Sequence, residues 1–454
     1  MISFFPESTQ SKGIIVLSHS KLFTSFPLGF QLLLRLSLLA TLLLLSLLLA
    51  KQSPLLLPAA LFLASLPLNM TLNIWTWSIM GLCMLGVFIL DKKRRFVWQP
   101  IFYVLAAIYF LHYVGLLYTD DLTLGVKRLD TTVPLAIFPF IFSLTQFSKR
   151  DVVLLLRFFV WSVIAFCVFG FISYAAVVPE FTWNMAFRDS KLYAPLLMMW
   201  PAHPHPSFLS TILLMAVPAA LYLRYNPSPT LPAREGEENG KQITLAEMLL
   251  GILTPIAFTI LAGARVGMVI FPVLLFLGYL FYCKFNPMLK WGLVVAGIVV
   301  AGVIFLLFPN IDDRFTDSIR VDFRKIAISA IKEKPVLGWG TGYSAHLIQS
   351  EERVHSLGME STHKSIQFHN QYIEAMVQFG IPGLLLLIGL IGWILWIGIC
   401  ERNFLLLSFL AIYLIFFWTE SVLYISKGVI PFSFWLCFLI AHRDMAHRYF
   451  RRIN

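Results

Sequence analysis

The chain has 454 residues, of which 58% are hydrophobic and only 13% are charged. A soluble domain of this length needs far less apolar surface, so the composition excludes an ordinary soluble protein. The formal net charge of +11 points to anionic lipid and to basic cytoplasmic loops rather than to nucleic acid.

Apolar runs recur along the chain, and each is long enough (about 17 to 25 residues) to cross a bilayer as a helix. They predict an all-α polytopic integral membrane protein with about twelve transmembrane helices, or thirteen if each of the first three runs crosses. The candidate spans lie near residues 29–50, 54–70, 74–90, 97–117, 131–147, 152–177, 206–223, 244–262, 266–283, 291–308, 373–398, 403–418 and 429–441.

Basic residues in the short connections predict the orientation of these spans. If the spans alternate from residue 97 onward, the basic run Lys92–Arg95, Lys149, Arg402 and the basic tail all fall on the cytoplasmic side. The opposite side then receives residues 118–130, 178–205, 263–265, 309–372 and 419–428.

This threading divides the chain into three parts. Residues 1–308 hold the first ten membrane helices and a Pro-, Glu- and Gly-rich cytoplasmic linker at 225–243, residues 309–372 form one large loop, and residues 373–454 hold the last helices and a cytoplasmic tail. No cleavable signal peptide is predicted in residues 1–28. The five cysteines have neither metal nor disulfide spacing, so they are predicted to be packing residues.

The large loop has a predicted helix over Ile319–Lys334, apolar on one side and basic on the other. Such a helix can lie along a membrane surface, and Pro335 ends it. The following Gly338–Tyr343 segment resembles a phosphate-binding glycine motif, but no strand precedes it, so a tight loop is the better interpretation.

The most informative polar cluster is His369, Asn370, Gln371, Tyr372 and Glu374, where the loop runs into an apolar span. Polar groups at this depth are costly, so such a cluster usually faces a partner or a wet cavity. Imidazole can transfer protons near neutral pH, although a lone histidine is more often structural. The amides and the phenol can orient the histidine or a sugar, whereas Glu374 is expected to hydrogen-bond within the bundle.

Three arginines are candidate anion contacts on the same side. Arg265 lies between two spans, where its planar fork suits phosphate, but snorkelling to the interface is an equal alternative. Arg320 precedes Arg324 by one helical turn, and both can face an anion, although a solvated face is favoured for Arg324.

The third arginine, Arg188, lies in a segment that also holds His203 and His205. A metal site needs three or four ligands, and no matching cysteines or aspartates accompany these histidines. The segment is therefore predicted to be the polar wall of an outward-facing cavity, with Arg188 as an anion contact, His205 as a substrate contact and no metal.

Taken in order, four pieces of the sequence resemble the O-antigen ligase family, which shares a region with O-antigen polymerases and some protein O-oligosaccharyltransferases. The pieces are Gly263-Ala264-Arg265-Val266-Gly267, the Arg320-led helix, Pro335–Gly342, and His369-Asn370-Gln371-Tyr372 with Gly380-Ile381-Pro382-Gly383. The region of Arg188 and His205 carries no matching motif.

The resemblance implies a GT-C-like membrane glycosyltransferase of the bacterial inner membrane, with a large periplasmic loop and an active site on the periplasmic side. Its donor would be an undecaprenyl-diphosphate-linked glycan and its acceptor lipid A–core or another glycan, with no cofactor. The family's loop histidine corresponds to His369, and its arginines to Arg265 and Arg320. The expected role of His369 is to take the acceptor proton in an inverting displacement.

Ligase is the first interpretation, and a glycan polymerase that uses the same donor is the nearest alternative. A protein O-oligosaccharyltransferase comes third. A transporter of lipid-linked sugars would need charges along several span centres, whereas the notable charges here gather on one face. This placement favours chemistry at the membrane interface over passage through it.

Overall fold

The computed structural model describes residues 28–51, 56–145, 147–177, 205–226, 243–282, 318–359 and 365–442. All regular secondary structure within these ranges is helical, in agreement with the predicted all-α class.

The helices of the described residues are numbered here in chain order. They are α1 (Leu28–Ala50), α2 (Leu56–Ser65), α3 (Met70–Leu90), α4 (Pro100–Gly115), α5 (Leu122–Thr132), α6 (Pro134–Leu144), α7 (Lys149–Val177), α8 (Pro206–Leu214), α9 (Ala216–Tyr225), α10 (Leu245–Leu261), α11 (Arg265–Tyr282), α12 (Ser318–Glu333), α13 (Ser344–Gln349), α14 (Glu351–Ser356), α15 (Gln371–Cys400), α16 (Phe404–Thr419) and α17 (Ser426–Ala441), with a 3₁₀ turn at Val422–Tyr424.

Five helical stretches of the described residues are long and apolar enough to cross a membrane: Met70–Leu90, Lys149–Ser173, Pro206–Tyr225, Arg265–Tyr282 and Gln371–Cys400. Shorter apolar helices of 10–17 residues accompany them, among them Pro100–Gly115 and Phe404–Thr419. These helices agree with a multi-pass membrane protein. The total of about twelve spans stays a prediction, and the candidate span at 291–308 lies outside the described residues.

Contacts between aromatic rings show which helix ends lie together. Tyr282 at the end of α11 packs on Phe404 at the start of α16, with ring centroids 4.9 Å apart, so these two helices are antiparallel. Phe208 near the start of α8 contacts Phe416 near the end of α16, also at 4.9 Å. The starts of α8 and α11 therefore lie beside the end of α16. We refer to this end of the bundle as the site end.

Helix α15 also starts at the site end, because the Asn370 side chain donates a hydrogen bond to the carbonyl of Trp418 (3.1 Å). It is interrupted at Gly380, which has φ 59°. Pro382 has no N–H to give to the carbonyl of Gln378, and the amide of Gly340 donates to that carbonyl instead (2.9 Å). The Trp339 amide donates likewise to the Val377 carbonyl (2.8 Å).

The glycine-rich segment is therefore a loop that packs against helices α4 and α15 rather than a phosphate-binding loop. Gly338, Gly340 and Gly342 all have positive φ, and a Cβ at Gly340 would lie 2.7 Å from the carbonyl oxygen of Gly115. The Thr341 hydroxyl donates to the carbonyl of His112 (2.6 Å) and ties the loop to α4. The two motifs at Pro335–Gly342 and Gly380–Gly383 are halves of one paired structure.

The large loop has a small hydrophobic core of its own. The apolar side of α12, including Phe323, Ile326 and Ala330, is buried against residues of the same loop such as Ile348 and Val354. This side was predicted to suit a membrane surface, but protein covers it. The covering residues fix α12, and with it Arg320, against the start of α15.

Replacing Gly380 with alanine is expected to lower the free energy of unfolding by roughly 3 kcal/mol or more. A Cβ there would clash with the carbonyl of Val336 and lie 2.7 Å from that of Pro335, at a φ that alanine disfavours. Gly389→Ala in the same helix is the control, because a Cβ at Gly389 meets nothing within 4 Å. Thermal unfolding in detergent measures the stability of both variants. Equal stabilities would contradict the close packing of Gly380 against the segment that begins at Pro335.

Candidate active site at the start of helix α15

His369 lies directly before α15 in a conformation that side chains rarely adopt, with φ 53°. Asn370 is the N-cap of the helix, and its side-chain oxygen accepts hydrogen bonds from the amides of Tyr372 and Ile373, both at 3.0 Å. The backbone amide of Asn370 in turn donates a hydrogen bond to the Ser421 hydroxyl (3.3 Å). These contacts hold the strained residue in place, which is typical of functional positions.

The imidazole of His369 forms an ion-pair-like contact with Glu420. Nδ1 lies 2.8 Å from Oε2 of Glu420, whose side chain is only 5% exposed. Glu420 caps the end of α16, where its amide donates to the carbonyl of Phe416 (2.8 Å). A carboxylate only accepts hydrogen bonds, so Nδ1 carries the hydrogen of this contact, and in the neutral form of the ring Nε2 keeps its lone pair. The ring is therefore set up to accept a proton through Nε2.

Nearby side chains fix the plane of this imidazole. The ring of Phe323 stacks on that of His369, with centroids 5.8 Å apart and an interplanar angle of 10°. The Gln367 side-chain amide lies 3.4 Å from the same Oε2 of Glu420. The Ser365 hydroxyl lies 3.5 Å from Nε2 of His369, and the histidine side chain keeps 29% exposure. The imidazole is therefore held on several sides and still remains partly accessible.

Arg320 joins the same carboxylate from the first turn of α12. Its Nη2 lies 3.9 Å from Oε1 of Glu420, and its side chain is 33% exposed. This long contact leaves most of the guanidinium donors available to another anion. The structure thus brings the predicted Arg320 and His369 together through one buried glutamate.

Glu374, in the first turn of α15, is buried and accepts four hydrogen bonds. Its carboxylate accepts from the Phe368 amide (3.0 Å), the Ser421 hydroxyl (3.0 Å), the Gln378 side chain (2.8 Å) and the Ser344 hydroxyl. The expectation that Glu374 hydrogen-bonds within the bundle is confirmed. It joins α13, α15 and the turn after α16, so its role is structural.

Arg128 of α5 supports the 3₁₀ turn that follows Ser421. The guanidinium lies over the ring of Tyr424, 4.0 Å from its centroid, and donates to the Tyr424 carbonyl (3.3 Å). Burial raises the pKa of the Tyr424 phenol, which keeps it neutral. This packing holds the turn in which Glu420 and Ser421 lie.

Two of the predicted substrate contacts use their side chains within the protein. The Gln371 side-chain oxygen accepts from the Leu423 amide (2.7 Å), and Asn370 caps α15. Tyr372 packs near Phe417, with ring centroids 6.3 Å apart, and keeps intermediate exposure.

The remaining predicted residues lie farther along the site end. Arg265 is the exposed first residue of α11, after a turn in which Gly263 has φ 65°. His205 is the exposed N-cap of α8, and its Nδ1 accepts from the Ser207 amide (3.4 Å). Both therefore lie at the same end of the bundle as Glu420. Arg188 and His203 lie outside the described residues.

Sequence reasoning missed Glu420. Residues 419–428 are predicted to lie on the same side as His369, and Glu420 is an acidic residue two positions after the apolar span at 403–418. A charged group so close to the end of a span indicates a functional position. That its partner is His369, 51 positions earlier, depends on how α15 and α16 pack, and the sequence does not show this packing.

Comparison with known proteins identifies the region that carries this cluster. Residues 250–388 match a family model described as O-antigen ligase, which confirms the predicted resemblance. The matched region includes Arg265, Arg320 and His369 and ends before Glu420. No curated protein matches the chain.

Proposed function

We propose that this chain, which carries an O-antigen ligase domain at residues 250–388, transfers a glycan from undecaprenyl diphosphate to a hydroxyl of lipid A–core. The reaction would take place at the periplasmic face of the inner membrane. One observation carries the proposal: His369 and Arg320 share the buried carboxylate of Glu420, at 2.8 and 3.9 Å, within or beside the matched domain.

In the proposed step, Nε2 of His369 takes the proton of the acceptor hydroxyl. The acceptor oxygen forms a bond to the anomeric carbon as the bond from that carbon to the diphosphate oxygen breaks. A single displacement of this kind inverts the configuration at the anomeric carbon. The electron pair of the broken bond leaves with undecaprenyl diphosphate, and Glu420 balances the imidazolium charge that develops.

The departing diphosphate needs positive charge at the membrane interface. Arginine offers a fork of donors that matches phosphate, and such donors act strongly in a water-poor site. Arg320 is the proposed first contact, with Arg265 and Arg188 as further contacts. Because guanidinium groups can balance this charge, the proposal includes no metal.

Substituting Arg320 by lysine is expected to raise the donor KM about tenfold, because a point charge cannot reproduce the fork. Lysine keeps the positive charge opposite Glu420, so the fold should be unaffected. Arg324→Lys on the same helix is the matched control, since Arg324 is exposed and was predicted to be solvated. Identical donor KM values for the two variants would argue against diphosphate contact by Arg320.

The direct test is transfer by purified protein from a defined lipid-diphosphate glycan to lipid A–core, with and without a chelator. Transfer in both conditions supports the proposal, and loss that a divalent ion restores would overturn its metal-free part. Cells that lack the gene separate ligase from polymerase. Loss of a ligase leaves long unattached lipid-linked chains, whereas loss of a polymerase leaves single repeats.

A further inference from the structure

A narrow apolar cleft opens at the end of the bundle opposite the site end. It lies between the start of α4 and the last turns of α15 and α17, and it has a volume of about 160 Å³. Its lining residues are Gln99, Pro100, Ile101, Trp393, Trp396, Ile397 and Ile440. Both tryptophans belong to α15, and Trp396 is 64% exposed.

Basic residues lie in the chain segments that adjoin the helices lining this cleft. The loop before α4 carries Lys92, Lys93, Arg94 and Arg95 against one acidic residue, Asp91. Arg95 precedes the lining residue Gln99 by four positions, so their Cα atoms are at most about 14 Å apart. Arg402 lies just beyond the end of α15 at Cys400, has φ 47°, and follows the lining residue Ile397 by five positions.

The loop itself is held against the bundle. The Val97 amide donates to the carbonyl of Ser143 at the end of α6 (2.9 Å). The Arg94 guanidinium lies 3.3 Å from the carboxylate of Asp91. Phe96 and Val97 are nevertheless 48% and 42% exposed, so apolar groups lie beside the cationic ones. This combination suits a molecule with an anionic head and an apolar tail.

We propose that the cleft and the basic loop at residues 91–95 form a binding site for an anionic phospholipid. The acyl chain would lie in the cleft against Trp393 and Trp396, and the phosphate would lie at the basic loop. Tryptophan favours the level of the lipid head groups, and basic pockets between membrane helices on the cytoplasmic side recognise anionic head groups. This site is separate from the proposed transfer reaction, which takes place at the other end of the bundle.

Binding can be measured on the purified full-length protein in neutral detergent, without glycan substrates. Phosphatidylglycerol is expected to raise the unfolding temperature by about 2–4 °C at saturation, and phosphatidylcholine at the same concentration is expected to have a smaller effect. Glycerol 3-phosphate, which has the anionic head but no tail, is expected to have none. Equal shifts with the two lipids, or a full shift with glycerol 3-phosphate, would overturn the proposal.

Two variants locate the site. Trp396→Ala is expected to weaken phosphatidylglycerol binding at least tenfold in a native mass spectrometry titration, because it removes a large apolar side chain that lines the cleft. Trp75→Ala is the control, since Trp75 is 65% exposed and does not line the cleft. The double variant Lys92→Gln, Lys93→Gln should weaken phosphatidylglycerol binding and leave phosphatidylcholine binding unchanged. Equal affinity losses in Trp396→Ala and Trp75→Ala would place the lipid elsewhere.

Discussion

Replacing His369 with asparagine is expected to lower the rate of glycan transfer by about 10²- to 10⁴-fold, the usual contribution of a general base. Asparagine tolerates the left-handed backbone at φ 53°. Its amide can still donate a hydrogen bond toward Glu420, but the side chain cannot take up the acceptor proton. The measurement is single-turnover transfer by purified protein with both lipid substrates.

The loss must be separated from damage to the fold. The unfolding temperature of His369→Asn should therefore stay close to that of the natural protein, since helix α15 keeps its Asn370 cap. His355→Asn provides a matched control, because His355 is an exposed histidine of α14. Transfer at the natural rate by His369→Asn would rule out the general-base role, whatever the effect of His355→Asn.

Much of the helical architecture follows from apolar runs that are long enough to cross a bilayer. The alternation of these runs, counted with the basic loops, also predicts that His369, Arg320 and Arg265 lie on one side. Such predictions succeed because burial of the backbone in lipid leaves few alternatives to a helix. The alternation does not predict which contacts those residues make.

The pairing of Pro335–Gly342 with the kink at Gly380 shows why. The glycines of the loop indicated a tight turn, but their close approach to backbone atoms of α4 and α15 depends on positive φ angles at Gly338, Gly340 and Gly380. The Gln378 carbonyl, which Pro382 leaves without a helical donor, is met by an amide 38 positions earlier. No local sequence pattern predicts a contact between residues that are 38 positions apart.

The same reason explains the roles of the polar residues after His369. The sequence predicts that Asn370 and Gln371 orient a sugar or the histidine. In the structure, the Asn370 side chain caps helix α15 and the Gln371 side chain accepts a hydrogen bond from the Leu423 amide. Asparagine before a helix is a well-known cap, so local chemistry could have indicated the first of these roles. The second depends on the turn after α16, which sequence alone does not bring near.

Glu420→Gln is expected to lower kcat by about 10²-fold or more with little change in the KM of either substrate. The carboxylate now accepts the Nδ1 hydrogen of His369 over 2.8 Å. A glutamine can donate to Nδ1 instead, which favours the tautomer whose Nε2 carries hydrogen and cannot act as a base. It also removes the charge that balances the imidazolium. Because the Glu420 side chain is 5% exposed, substrate affinity should not depend on it directly.

A purely structural role for Glu420 would give a different pattern. Glu420→Asp keeps the charge and should recover part of kcat, whereas a packing defect would lower the unfolding temperature in both variants. Glu333→Gln is the control, since Glu333 pairs with Arg353 at 2.7 Å in the same loop region and is 46% exposed. Separate measurement of kcat and KM decides the matter. An unchanged kcat in Glu420→Gln would mean that His369 works without its carboxylate, and the proposed proton transfer would then need another partner.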